Sequence, residues 1–145
     1  MSLLQNPEFE NGKTQPWYPE NVHDAVYLEV LYEPHKARTG TRFLRFTTSK
    51  PHASVAQDIK VTMPSVTALA YLRAGSGKVS GSLAISDLGA NPDNKISAPF
   101  EVGETWTQVI AVLGMQTTGA NRPVRVEFYL TTTDADMYID SVTAF

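Results

Sequence analysis

The feature that most constrains this chain is a two-residue alternation of apolar and polar side chains. Between Pro123 and Thr131, Val124, Val126, Phe128 and Leu130 share one parity, and Arg125, Glu127 and Tyr129 share the other. Successive side chains of a strand point to opposite faces, so this run predicts a strand buried on one side and polar on the other. The same logic applies along the chain. Ala68, Ala70 and Leu72 oppose Leu69, Tyr71 and Arg73; Leu44 and Phe46 oppose Phe43 and Arg45; Leu83 and Ile85 point inward between Ser80 and Ser86. Val55, Ile59 and Val61 lie together, with Gln57 on their side. Trp106 to Leu113 is apolar on both parities and reads as a central strand, and Met137 to Ala144 reads as the last strand.

Further strands are expected near Leu3–Leu4 and Tyr27–Leu31. Turn residues punctuate the runs: Thr39-Gly40, Met63-Pro64, Gly75-Ser76-Gly77, Asn91-Pro92-Asp93-Asn94, Val102-Gly103 and Gly119-Ala120-Asn121. Short strands at this spacing, with no capped helical run between them, predict an all-β sandwich or barrel. The length of 145 residues suits one domain able to bury a core without disulfides, and the chain has no cysteine. We expect it to be one piece of a larger parent protein.

Other classes find little support. The net charge is −3 and the twelve Lys and Arg residues form no run, which argues against nucleic acid. No apolar stretch reaches 18 residues, so no helical membrane span is expected. His23, His35 and His52 are far apart in loop-like sequence and read as surface residues. No nucleophile elbow, zinc-protease motif, P-loop or dinucleotide fingerprint occurs, so no catalytic centre is expected.

Six segments, in order, carry a family likeness. Asn6-Pro7-Glu8-Phe9-Glu10-Asn11-Gly12 precedes Trp17. Ala37-Arg38-Thr39-Gly40 leads into Phe43-Leu44-Arg45-Phe46. Then come Val55-Ala56-Gln57-Asp58-Ile59, Ala70-Tyr71-Leu72-Arg73, Glu104-Thr105-Trp106-Thr107-Gln108 and Tyr138-Ile139-Asp140-Ser141-Val142. This order resembles carbohydrate-binding modules of the family 4/9/22 type. The resemblance implies a galactose-binding-like jelly roll of two antiparallel sheets. It also implies a non-catalytic domain that holds a β-glucan or xylan chain on a concave sheet and targets an attached enzyme or surface protein to it, in a secreted, bacterial-type parent. The Trp17 to Pro34 segment is longer and more aromatic than that family's usual connection.

The resemblance further implies a structural calcium, with Glu10, Glu8 and Asp140 as carboxylates and carbonyls near Arg38 to Gly40 completing the shell. Asp140 sits in an apolar strand, where a carboxylate needs a partner. For the sugar, rings that stack on C–H faces and planar polar groups that grip hydroxyls are required. The outer parities supply Tyr71 with Arg73, and Arg125 and Glu127 with Tyr129. These five form one patch if their strands share a sheet; the alternative is ordinary cross-strand pairing on a solvated face. Tyr18, between Trp17 and Pro19, suits a loop-borne contact, and Tyr27 a cleft edge. Trp17 and Trp106 are expected in the core. An alternative function is a structural or protein-interaction sandwich in a large surface or phage-tail protein without sugar binding.

Overall fold

The computed structural model describes residues 2–89, 94–116 and 121–145. The turn signals at Asn91-Pro92-Asp93 and Gly119-Ala120 lie outside them. Among the described residues there are ten strands: β1 Tyr18–Pro19, β2 Val26–Tyr32, β3 Arg42–Thr48, β4 Ala53–Val61, β5 Ser65–Ala74, β6 Val79–Asp87, β7 Lys95–Val102, β8 Thr107–Gly114, β9 Arg122–Leu130 and β10 Met137–Ala144. They form two antiparallel five-stranded sheets. The first has the order β1-β4-β9-β6-β7, and the second β2-β3-β10-β5-β8. This is a jelly-roll β-sandwich, as the alternation and the resemblance together predict.

The parity assignments hold inside the sandwich. Val55, Val126, Phe128, Leu83 and Ile85 of the first sheet are buried against Leu44, Phe46, Ala70, Leu72 and Ile139 of the second. Gln57 also faces inward and is 3% exposed. Its amide accepts from the Gln5 N–H at 2.7 Å and donates to the Gln5 carbonyl at 3.0 Å, so it imitates a strand neighbour and leaves no polar atom unpaired. Phe9 and Trp17 extend the core, with Trp17 5.9 Å from Phe128.

Three strand expectations are corrected. The Trp106–Leu113 run is not central: β8 is an edge strand paired only with β5. Val109, Ala111 and Leu113 face the core, while Ile110 and Val112 are about half exposed, at 47% and 53%. Apolar residues on both parities misled because each sheet of a two-layer sandwich has one solvated face, and Ile110 and Val112 stand on it. Leu3–Leu4 forms bends, although Leu4 is buried and the Leu3 N–H reaches the Ala144 carbonyl at 2.7 Å. β7, which the sequence did not suggest, is an edge of the first sheet; Pro99 within it suits an edge position, where a missing N–H costs no ladder bond.

The segment before β1 is fastened by carboxylates. Asp140, fully buried at a bulge in β10, accepts N–H bonds from Arg38 at 3.0 Å, Thr39 at 3.2 Å and Ser141 at 2.8 Å. Glu10 accepts from the Thr41 N–H and hydroxyl and from the Arg42 N–H at 2.8 Å; Glu8 accepts from the Thr39 hydroxyl at 2.6 Å. Burial pushes the Asp140 carboxyl up to about 6, with Glu8 adding to the rise, against the Thr39, Ser141 and Arg38 amides that lower it. Burial also raises the Glu10 carboxyl, but the Arg42 and Thr41 donors outweigh it and hold it below its ordinary value.

This donor set does not fit the calcium ion expected from the resemblance. Calcium needs six to eight oxygens with lone pairs turned toward a common centre. Here the lone pairs of Asp140 and Glu10 are turned toward backbone N–H groups. Among the described residues no three His, Asp or Glu side chains are grouped to hold a cation.

Asp140→Ala removes the acceptor of three part-buried donors and opens a fully buried position, and should cost about 3 kcal/mol in urea denaturation, whereas Glu10→Ala, at an exposed site, should cost about 1 kcal/mol. Adding calcium or a chelator should leave the melting midpoint unchanged; a rise of several degrees with calcium would restore the metal. Gly81 in β6 has no room for a side chain, because a Cβ would collide with the carbonyl oxygen of Tyr129. Gly81→Ala should therefore cost about 3 kcal/mol, measured the same way.

Candidate functional site

The outer face of the first sheet is built by register. One row crosses all five strands: Tyr18 on β1 faces Ala56 on β4, which faces Glu127 on β9, then Ala84 on β6 and Ser97 on β7. The next row runs Ser54, Tyr129, Ser82 and Pro99, and the row on the other side runs Asp58, Arg125, Ser86 and Lys95. Small residues at 54, 56, 82 and 84 form a low floor, of which Ser54, Ala56 and Ala84 are fully covered by the side chains around them. Taller side chains stand around it: Tyr18 at the β1 edge, Tyr129 in the middle and Lys95 toward β7.

Two open hollows lie along this face. One, of about 410 Å³, is lined by Glu20, Asn21, Ser86, Asp87, Lys95, Arg125, Glu127 and Tyr129 among others. The other, of about 400 Å³, lies at the β1 edge against Gln5, Tyr18, Asp58 and Lys60. Between them stands Arg125. Its Nε and Nη2 meet the two oxygens of Asp58 at 2.8 and 3.3 Å, and its Nη1 meets Glu20 at 3.0 Å. The Asp58 hydrogen bond and the nearby carboxylates hold this guanidinium firmly charged, against partial burial.

The rings are fixed as well. The Tyr18 hydroxyl donates to Asp58 at 2.9 Å, and burial with that acceptor pushes the phenol up to about 12. Burial, followed by the charge of Glu127, raises the Tyr129 phenol too. The Lys95 ammonium lies 4.9 Å from the Tyr129 ring centre. Glu127 does not stand free on the outer face as the parity suggested. It is 3% exposed and accepts from the Ser54 hydroxyl, so its role is to brace the floor. Both rings are thus neutral at any physiological pH and locked in place. Such a surface offers apolar faces, fixed carboxylates and a fixed guanidinium, which suits a ligand with C–H faces and many hydroxyls.

The structure divides the residues expected to form one patch. Tyr18, Arg125, Glu127 and Tyr129 share the first sheet. Tyr71 and Arg73, on β5, and Tyr27, on β2, stand on the outer face of the second sheet, across the core from the groove. The outer parity was right for each strand; the sheet to which β5 belongs was not legible from it. Glu20, Asp58, Ser54 and Lys95 belong to the groove and were not singled out. Asp58 and Ser54 had a usable signal, since they share the outer parity of β4. Glu20 had none, because it follows a two-residue strand that only tertiary pairing defines. Trp106 is only half-buried: its Nε1 donates to the Lys36 carbonyl at 2.7 Å, beneath the loop that joins β2 to β3.

No protein-family model matches the chain, and no curated protein matches it by sequence. Solved structures do. The module TmCBM61, solved with β-1,4-galactotriose, is 21% identical over 100% of this chain and 98% of that one, with a TM-score of 0.76. The CBM22-1 xylan-binding domain of Paenibacillus barcinonensis Xyn10C is 16% identical over 99% and 93%, with a TM-score of 0.74. The enzymatically active domain of bacteriophage CBA120 tailspike protein 4 is 13% identical, with a TM-score of 0.72; the match covers 99% of this chain and 21% of that one. At these identities the likeness is one of fold. The chain has the β-sandwich fold of the carbohydrate-binding modules, as its ordered sequence segments imply.

Proposed function

We propose that this chain is a non-catalytic carbohydrate-binding module that lays a polysaccharide across the outer face of its first sheet. The observation that carries the reading is the continuous row from Tyr18 to Ser97, with two immobilised rings and a clamped guanidinium above a floor of small residues. The row spans about 19 Å from β1 to β7, so it suits an extended chain and not a single sugar. Tyr18 and Tyr129 are two strands apart, about 10 Å, a spacing that lets two separated units of one chain each find a ring.

The neighbours support a β-linked glycan of the galactan or xylan kind, since their names record galactotriose and xylan, and the sequence resemblance adds β-glucan. The matching module in one xylanase is joined to a catalytic module, which supports a targeting role beside an enzyme. Polysaccharides of this class lie outside cells, so the reading carries an extracellular parent with it. Affinity per module should be modest, because sugar hydroxyls already bond well to water. No helix among the described residues is long and apolar enough to cross a membrane.

A second reading keeps the sandwich as a scaffold domain in a surface or phage-tail protein. The tailspike match favours it.

Affinity electrophoresis on xylan, galactan and mixed-linkage β-glucan separates the two. At least one polymer should retard the wild type, and Tyr129→Ala should weaken that retardation about tenfold, the loss of roughly 1.4 kcal/mol of stacking. Tyr71→Ala should leave it unchanged. Migration unaffected by every polymer would favour the scaffold.

A further inference from the structure

The second sheet has its own constellation, which the proposed groove does not use. Its outer face holds Tyr27, Tyr71, Tyr138 and Trp106, four of the chain's eight Tyr and Trp residues. A cation lies over each ring. Arg45 lies 5.4 Å from the Tyr27 centre and Arg38 4.0 Å from Tyr71; Arg73 is 5.9 Å from both Trp106 and Tyr138, and Lys36 is 5.7 Å from Tyr138.

These cations differ in their acid partners. Arg45 pairs with Glu29 at 3.6 Å and Asp136 at 3.4 Å, and Lys36 with Glu33 at 3.5 Å. Arg38 and Arg73 make no ion pair with any described carboxylate. Asp140 sits opposite Tyr71 on the neighbouring strand, but it is fully buried and its oxygens are turned to three amides. Glu104 is turned to the Gly77 N–H at 3.0 Å.

The two guanidiniums serve neighbouring positions of one face. Tyr71 and Arg73 are two residues apart on the same face of β5, about 7 Å, and Arg38 reaches over the first of them. Stacking uses the flat face of a guanidinium and leaves its edge N–H groups free. Arg38 is exposed, and among the described residues the side chain of Arg73 makes one hydrogen bond, from Nε to the Ala74 carbonyl at 3.4 Å, which leaves its terminal nitrogens available. A guanidinium edge matches a carboxylate with two parallel bonds. Gln108 donates to the Tyr71 hydroxyl at 3.4 Å and closes the side toward β8.

We propose that Arg38 and Arg73 form a second glycan site, on the opposite face from the groove, for a polysaccharide bearing uronic-acid carboxylates. Each guanidinium takes a carboxylate on its edge, and the Tyr71 and Trp106 rings hold the two guanidiniums in place by their flat faces. Charge alone does not bring an acidic polymer to this protein, because its net charge is −3; attraction must come from this local pair.

Affinity electrophoresis on polygalacturonate tests the site, with neutral galactan and a sulfated polymer, heparin, as further gels. The wild type should be retarded by polygalacturonate, less so as salt rises. Arg38→Gln/Arg73→Gln should weaken that retardation at least tenfold while its melting midpoint and its behaviour on neutral polymers stay as in the wild type. Tyr129→Ala should retain it in full. The site is refuted if polygalacturonate does not retard the wild type, if the double variant is retarded equally, if the effect follows Tyr129, or if heparin alone retards the protein. Because the two faces are read on different gels with different variants, failure here leaves the groove standing, and failure of the groove leaves this site standing.

Discussion

Everything in this molecule depends on the commitment of one parity of each long strand to the space between the sheets. Val126, Phe128, Leu72 and Ile139 cannot leave that space without exposing apolar surface at about 25 cal/mol per Å². Function is therefore confined to the other parity. Because the chain passes repeatedly between sheets, β4 to β5 to β6 and β8 to β9 to β10, residues of that parity are dealt alternately to two opposite faces. The sandwich has two working surfaces that share one core.

That constraint explains which parts of the structure were readable in advance. Alternation alone exposes the inward and outward sets, and it was correct for β3, β4, β5, β6 and β9. It carries no information on which strand pairs with which. Tyr71 and Arg73 therefore joined Arg125, Glu127 and Tyr129 in expectation and stand across the core from them in fact. The same blindness made β8 central, since two apolar parities suggest a strand covered on every side, whereas Ile110 and Val112 point to the solvated face of an edge strand. Position in the sheet is a tertiary property that hydrogen-bond partners decide, and those partners are far away in sequence.

The acidic residues teach a related lesson. An Asp between Ile139 and Ser141 in an apolar strand had to have a partner, and that much followed from desolvation. The nature of the partner did not. Amide hydrogens and a cation satisfy a buried carboxylate equally well on paper, and only the placement of the Arg38 to Arg42 backbone distinguishes them. The loop that supplies those amides also carries Arg38 to its place over Tyr71, so the fastening of the N-terminal segment and the shape of the second face are set by one stretch of backbone.

The small residues beneath the groove have a consequence for how such a protein can change. Ala56 and Ala84 belong to the central row and point away from the core, yet both are fully covered, so a larger side chain there would have to displace the groups packed over it. The shape of the outer face is thus tied to positions whose enlargement carries a packing cost. A face of this kind is reshaped more readily through its exposed groups, such as Asp58 and Lys95, than through the alanines between them.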